Sequence, residues 1–358
     1  MKRINLIGYL MIVISSLLFI QCTSDPIPGP AGADGTNGTN GTDGVDGVDG
    51  SAASCIACHS DTHREPIIAA FDLTKHATGS SWARGTSESC AACHNNEGFI
   101  DYIETGAVAT GGYNVSNHLS CTGCHNTHRS FDFENDGNDM AVRTLDAVNF
   151  AVFAEDDTVD DYTLDYGDAS NLCANCHQPR RGAPVADENG KYTNTSTHWG
   201  PHHGPQTALL EGLFGAYKTF TLVEDIPAAA SAAHRKNSSC IQCHMDATDG
   251  SEGHGFEPAF NKCTDCHGSA TPMEVAGLAE EMETLKGLLE NVVGRNQADT
   301  EDVIGIVHDD HPVVGVFDIK DAEAAWNYLF ILEDKSMGIH NPDYAKSLIK
   351  NSIAALQN

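Results

Sequence analysis

Apolar residues recur with a helical period in the last third of the chain. From Met273 to Val293 they fall three or four positions apart, as on one face of a helix, at Val275, Leu278, Met282, Leu285, Leu288, Leu289 and Val292. Pro272 precedes the segment, where the start of a helix tolerates proline. Segments 321–333 and 342–356 place alanine, leucine and aromatic residues on one face in the same way. We therefore expect a layer of C-terminal helices over residues 271–358.

The N-terminus has the pattern of a signal peptide. Lys2 and Arg3 are followed by a mostly apolar run from Ile4 to Ile20, and Cys22 stands where a lipoprotein signal peptidase cuts before cysteine. We predict a lipoprotein signal peptide over residues 1–21, with a lipid on Cys22. The alternatives are an uncleaved transmembrane anchor, at the short limit for spanning, and simple cleavage. With a lipid or an anchor, the protein is exported and tethered to a membrane, facing the periplasm or the cell exterior.

Glycine occupies every third position over the next segment, as in collagen. The positions are Gly29, Gly32, Gly35, Gly38, Gly41, Gly44, Gly47 and Gly50. The run is short and contains little proline, which favours an extended stalk over residues 22–50. A triple helix, which would make the protein a trimer, is the alternative.

Residues 51–270 have little apolar periodicity but are rich in cysteine and histidine. Twelve of the 13 cysteines form six Cys-x-x-Cys-His motifs. The motifs are Cys55, Cys58 and His59; Cys90, Cys93 and His94; Cys121, Cys124 and His125; Cys173, Cys176 and His177; Cys240, Cys243 and His244; Cys263, Cys266 and His267. A zinc ribbon does not need a histidine after each pair, and a redox dithiol motif occurs once rather than six times. The motifs therefore predict six covalently bound c-type haems.

The spacing of the motifs also bears on the fold. Each pair of cysteines would bind the haem vinyl groups, and the adjacent histidine would bind the iron. Aromatic residues make up only 7% of the chain, and six haems in about 220 residues leave too little chain for separate apolar pockets. We expect haems to pack on one another and fill most of the interior. The predicted fold is mainly α with extensive loops: a haem-packed multihaem cytochrome c domain covered by the C-terminal helical layer.

Each iron needs a second axial ligand, and twelve histidines lie outside the motifs. Those that context favours are His76, His118, His128, His202, His254 and His340. His202 is preferred over His198 and His203 in the same Gly/Pro-rich segment, while His63, His234, His308 and His311 are less favoured. Iron with two histidine ligands is six-coordinate and suits electron transfer rather than catalysis.

Two segments resemble a superfamily of multihaem cytochromes. Ala325-Trp326-Asn327-Tyr328-Leu329 and Gly338-Ile339-His340-Asn341-Pro342 are similar to the C-terminal helices of pentahaem nitrite reductase, octahaem hydroxylamine oxidoreductase and octahaem tetrathionate reductase. In that family a histidine before the last long helix ligates a haem, which implies this role for His340. The Cys-x-x-Cys-Lys motif that usually marks the catalytic haem of the nitrite reductases is absent from the sequence.

The formal net charge of −30 argues against nucleic acid and anionic lipid head groups as partners. The sequence favours an electron relay in a respiratory or extracellular chain, with redox proteins or an extracellular acceptor as partners. One alternative is an oxidoreductase acting on a small nitrogen or sulfur compound at one five-coordinate haem. A second is a structural surface protein assembled through the Gly-X-Y run. No catalytic residue is predicted.

Overall fold

The computed structural model of the protein describes residues 60–126, 142–150, 162–245, 251–258, 260–268 and 274–358. Over these residues the fold is helix-rich with extensive loops, as the sequence predicts. They all belong to one compact unit, Ser54–Asn358. The segments that bear the motifs and the C-terminal helices are therefore parts of the same unit.

Most helices in the first two thirds of the described chain are short, and the long helices lie near its C-terminal end. The α-helices are α1 (Asp61–Phe71), α2 (Glu88–His94), α3 (Asn96–Thr105), α4 (Cys121–Cys124), α5 (Ser170–Ala174), α6 (Gln206–Glu211), α7 (Ala233–Asn237), α8 (Cys240–His244), α9 (Phe260–His267), α10 (Leu278–Leu289), α11 (Ile319–Asp334) and α12 (Pro342–Gln357). A 3₁₀ helix covers Ser80–Thr86.

The three C-terminal helices predicted from the apolar period are present as α10, α11 and α12. The structure ends α10 at Leu289, four residues before the predicted end, because the chain turns there into a strand. Gly277, in the left-handed region with φ 81°, precedes α10, so the helix also begins later than predicted. At the start of α12, the side chain of Asn341 accepts a hydrogen bond from the Tyr344 amide, and Pro342 occupies the first turn.

The structure also contains a four-stranded antiparallel sheet that was not predicted; three of its strands lie between α10 and α11 in the sequence, and the fourth lies before α6. Its order is β3 (Lys191–Asn194), β8 (Gly315–Asp318), β4 (Val293–Arg295) and β5 (Asp302–Ile304). Two further pairs, β1 (Val148–Asn149) with β2 (Thr163–Leu164) and β6 (Val307–His308) with β7 (His311–Pro312), are also antiparallel. All of these strands have four residues or fewer, too short for an alternating pattern to stand out.

The C-terminal part has an ordinary side-chain core. Trp326, Phe330, Tyr344 and Leu285 are fully buried where α10, α11 and α12 pack together, and Phe317 of β8 joins them. The expectation that haems fill most of the interior is therefore wrong for this part of the chain. Aromatic residues are few in total, but enough of them are concentrated here to form a packed core.

Apolar side chains are sparser around the motif helices. One cluster consists of Trp82, Phe99, Leu119 and Leu172. Another consists of Val148, Phe150, Leu164 and Ala174. Both are small beside the C-terminal core, as expected for a region in which cofactors supply much of the apolar contact.

No helix within the described ranges is long and apolar enough to cross a membrane. The signal peptide, Cys22, the glycine-repeat stalk and the first motif all lie outside those ranges. The assignments made there from the sequence stay predictions.

Candidate metal centres

The described attachment motifs lie on or beside short helices. Helix α4 consists of Cys121–Cys124, α8 of Cys240–His244, α2 ends at His94, and α9 ends at His267. Residues three positions apart lie on the same face of a helix, so the two sulfurs of each motif can reach one ligand while the next residue presents its ring. All ten described cysteines are free of disulfides.

Each of the five described motif histidines faces one histidine from outside the motifs. The pairs, with the distances between ring centroids, are His76–His177 at 6.0 Å, His94–His202 at 6.1 Å, His125–His254 at 6.2 Å, His234–His267 at 6.1 Å and His244–His340 at 6.4 Å. No histidine occurs in two of these pairs.

This spacing fits one metal ion between the two rings. An imidazole nitrogen binds a transition metal at about 2.0 Å and lies about 1.1 Å from its ring centroid, so two rings on opposite sides of one ion have centroids about 6.2 Å apart. The observed range of 6.0–6.4 Å brackets that value. Two opposed imidazoles beside two cysteines are the donor set of a c-type haem with two histidine ligands. The residues therefore fit the group that the motifs predict.

The hydrogen bonds of the rings leave Nε2 available. Nδ1 of five paired histidines has an oxygen partner: Gln206 Oε1 for His177 at 2.9 Å, Ile339 O for His234 at 2.6 Å, Phe256 O for His244 at 2.8 Å, Ser251 O for His254 at 3.0 Å and Asp334 Oδ1 for His340 at 2.6 Å. Metal-binding histidines usually donate their other ring nitrogen to such an acceptor, which fixes the tautomer and the ring orientation.

Burial keeps several paired rings in the neutral form that binds a metal. It lowers the pKa of His76 to about 4, with the positive charge on His177 as a smaller cause. It also lowers the pKa of His202 to about 4, with Arg180 as the next cause. The pKa values of His94 and His177 are lowered by burial as well. Burial lowers the pKa of His340 too, but the Asp334 carboxylate outweighs this and leaves the pKa raised.

A closed loop positions His76. The indole Nε1 of Trp82 donates to the carbonyl oxygens of Lys75, at 2.9 Å, and Thr78, at 3.2 Å. On its other side His76 contacts Phe256, with ring centroids 4.6 Å apart. These contacts hold the ring toward His177.

The segment around Pro201 separates three neighbouring histidines. His202 has a positive φ of 73°, and its ring is the one that faces His94. His198 and His203 are exposed, and His203 pairs instead with Glu333 at 2.6 Å. Of these three histidines, His202 is the one whose ring faces a described motif histidine.

The loop between α11 and α12 positions His340. Lys335, Met337 and Gly338 all have positive φ, which turns the chain sharply between the two helices. A Cβ on Gly338 would lie 2.4 Å from a methyl carbon of the buried Leu278, so only glycine fits there. The loop directs the His340 ring to that of His244.

His234 is the paired histidine that the sequence did not favour. It lies on α7, and its partner His267 belongs to the sixth motif rather than to the fifth, which follows it directly. In the sequence His234 lies six residues before Cys240, which would suggest the fifth motif rather than the sixth as its partner.

The remaining predicted ligands are not paired in the described part of the chain. His118 is exposed with Nδ1 3.0 Å from the Leu119 carbonyl oxygen, and it faces none of the described motif histidines. His128 and the first motif histidine, His59, lie outside the described residues. Four further rings face none of the five described motif histidines: His63, His198, His308 and His311.

The motifs contact one another. Cys93 Sγ lies 3.8 Å from the Asn175 carbonyl oxygen, and Cys176 Sγ lies 4.0 Å from that of Ala92, so the second and fourth motifs are adjacent. Helix α8 packs against both α5 and α9, which brings the fourth, fifth and sixth motifs together. Over the described residues, no group of three or more His, Cys, Asp or Glu side chains is placed to hold a metal ion.

Comparison with known proteins gives one solved structure. No protein-family model matches the chain, and no curated protein does. The chain is similar to the crystal structure of the outer cell wall cytochrome OcwA, with 16% sequence identity and a TM-score of 0.48. The match covers 80% of this chain and 50% of that one, so the chain spans about half the length of that structure.

Proposed function

We propose that this protein is an exported, membrane-tethered hexahaem c-type cytochrome that relays electrons in a respiratory or extracellular chain. The observation that carries the proposal is the set of five histidine pairs, each joining a motif histidine to a second ring at 6.0–6.4 Å. A haem bound there supplies one-electron redox chemistry.

The chain's own residues have three roles in this function. Cysteines of each motif hold the cofactor covalently, so that neighbouring centres can lie close together with little chain around them. The paired histidines would hold the iron of each haem from both sides, which would leave no place for a substrate at these five centres. Their Nδ1 acceptors fix the rings and keep the metal-binding nitrogen directed inward.

The tether and the partners are the finer parts of the proposal. A lipid on Cys22 would attach the protein to a membrane, and the glycine-repeat segment would serve as an extended stalk. The partners would be redox proteins or an extracellular acceptor. With a formal charge of −30 on this chain, a partner with a basic docking surface would associate faster than an acidic one.

The test is a measurement of haem stoichiometry and spin state on the purified, matured protein. A pyridine haemochrome assay should give six c-type haems per chain. The ferric form should be low-spin at the five described centres, and their ferrous form should not bind carbon monoxide. Bound zinc with fewer than five haems would refute the proposal. A high-spin fraction equal to one haem in six would favour the alternative of an oxidoreductase with one five-coordinate haem.

A further inference from the structure

The His340 ring has a different kind of hydrogen-bond partner from the rings of His177, His234, His244 and His254. Its Nδ1 lies 2.6 Å from Oδ1 of Asp334, whose side chain has no exposed surface. On the opposite ring of the same pair, Nδ1 of His244 lies 2.8 Å from the carbonyl oxygen of Phe256. One centre is therefore held between a ring bonded to a carboxylate and a ring bonded to a neutral oxygen.

At the other centres, each hydrogen-bond acceptor that the structure gives for a histidine Nδ1 is a neutral oxygen atom. His234 and His254 donate to main-chain carbonyl oxygens, and His177 lies 2.9 Å from the amide oxygen of Gln206. A charged acceptor forms a shorter and stronger hydrogen bond than a neutral one. The pair His244–His340 thus differs in chemistry from these three.

The Asp334 carboxylate cannot easily turn away from the ring. Its other oxygen accepts hydrogen bonds from the amide of Ser336, at 3.1 Å, and from the Ser336 hydroxyl. Asp334 ends α11, and the left-handed Lys335 that follows fixes the direction of the chain. The carboxylate is therefore held against Nδ1 of His340 by its own neighbours.

A carboxylate on Nδ1 draws the ring proton toward itself and makes the imidazole a stronger donor to a metal. A stronger donor stabilises ferric iron more than ferrous iron, and hydrogen bonding around the ligands is one of the protein's levers on haem potential. We propose that Asp334 is a positioning residue that strengthens His340 as a ligand and lowers the reduction potential of the haem attached at Cys240 and Cys243. The inference rests on the proposed function, since it requires a haem at this motif.

The direct test is Asp334→Asn in the six-haem protein, followed by a spectroscopic redox titration. The midpoint potential of one haem should rise, while haem content and the low-spin spectrum stay as in the wild type. Electron paramagnetic resonance of the ferric protein gives an independent readout. The low-spin signal of this haem should move toward a weaker axial ligand field, which loss of a distant charge would not cause.

Glu333→Gln is the matched charge control. It removes a carboxylate from the neighbouring position, where Glu333 bonds to the exposed His203 at 2.6 Å. His203 faces none of the described motif histidines, so this variant should leave the signal of the His340 centre in place. An equal shift in potential and signal from both variants would show that charge alone is responsible, and the inference would fail.

Gln206→Glu is the converse variant and also covers the case in which Asp334→Asn does not fold. It places a carboxylate at the atom that now accepts from His177, so the potential of the haem at the fourth motif should fall. It also removes the hydrogen bond from Gln206 Nε2 to the Asp334 carbonyl oxygen, so only the shift at the fourth motif counts as support. If neither Asp334→Asn nor Gln206→Glu shifts a potential in six-haem, low-spin protein, the inference is wrong and the proposed function stands. If the wild type lacks these haems, the proposed function itself fails.

Discussion

At the scale of residues, the histidine from outside the motif is the member of each pair that can be substituted without altering the attachment motif. Under the proposed function, the cysteines would keep the haem attached when a distal histidine is removed, so the effect of such a change would stay at one centre. His234 is the sharpest case, because its Nδ1 is fixed by the carbonyl oxygen of Ile339 and its ring faces His267.

We expect His234→Ala to open one axial position. One haem in six should become high-spin in the ferric state and should bind carbon monoxide when reduced, because the iron has lost its second imidazole. Absorption and magnetic circular dichroism spectra measure both. His203→Ala is the control, since this exposed ring faces no motif histidine. A wild-type spectrum for His234→Ala would show that this pair does not bind the iron.

The attachment motifs could be recognised in the sequence, because covalent attachment of a haem requires a fixed spacing. His76, His202, His254 and His340 were singled out from context, and the structure places each opposite a motif histidine. His234 could not be chosen this way. A distal ligand is selected by tertiary proximity, and no local spacing encodes which motif it serves.

At the scale of elements, the long helices follow from their apolar period, whereas the short strands do not. Helix α10 presents Leu278, Met282, Leu285 and Leu289 on its buried face, at the predicted spacing. Strand β4 has three residues, and its Gly294 is placed there because the Phe317 ring lies where a side chain would be. This steric requirement for glycine depends on the folded sheet, so it cannot be recognised from the sequence.

The α11–α12 loop supplies a prediction at this scale. Gly338→Ala adds a methyl group at a φ of 82°, within 2.4 Å of a Leu278 methyl carbon and 3.1 Å of the Ala345 Cβ. We expect a loss of about 1–3 kcal/mol in the free energy of unfolding. Since the loop bears His340, part of one haem should also become high-spin. Denaturant unfolding and the ferric spectrum measure the two effects.

Gly287→Ala is the control for that substitution. Gly287 is exposed on α10, and an added Cβ would meet nothing within 4 Å. It should stabilise the helix by about 0.5–1 kcal/mol, because alanine favours a helix over glycine. Unchanged stability and spectrum in Gly338→Ala would mean that the loop can move without disturbing His340.

At the scale of the whole molecule, the negative charge of the protein should favour redox partners that carry positive charge. At low ionic strength the reduced protein should be oxidised at least about 10-fold faster by a cationic complex such as hexaammineruthenium(III) than by ferricyanide, after correction for driving force. The difference should shrink at about 1 M salt, where the screening length is about 3 Å. Stopped-flow oxidation at several salt concentrations measures this. Equal salt dependence for both oxidants would show that the −30 charge lies away from the haems.

The pairing of the histidines also fixes the order in which the molecule can be completed. Four of the five pairs join positions about 100 or more residues apart, and the intervals 76–177, 94–202 and 125–254 overlap one another. The N-terminal part of the chain is made first. The motif at His94 is therefore made about 100 residues before its partner, His202. The fifth motif must wait until nearly the last helix has been made. Among the five described pairs, a truncation that removes His340 would therefore deprive the distant fifth motif of its second ring.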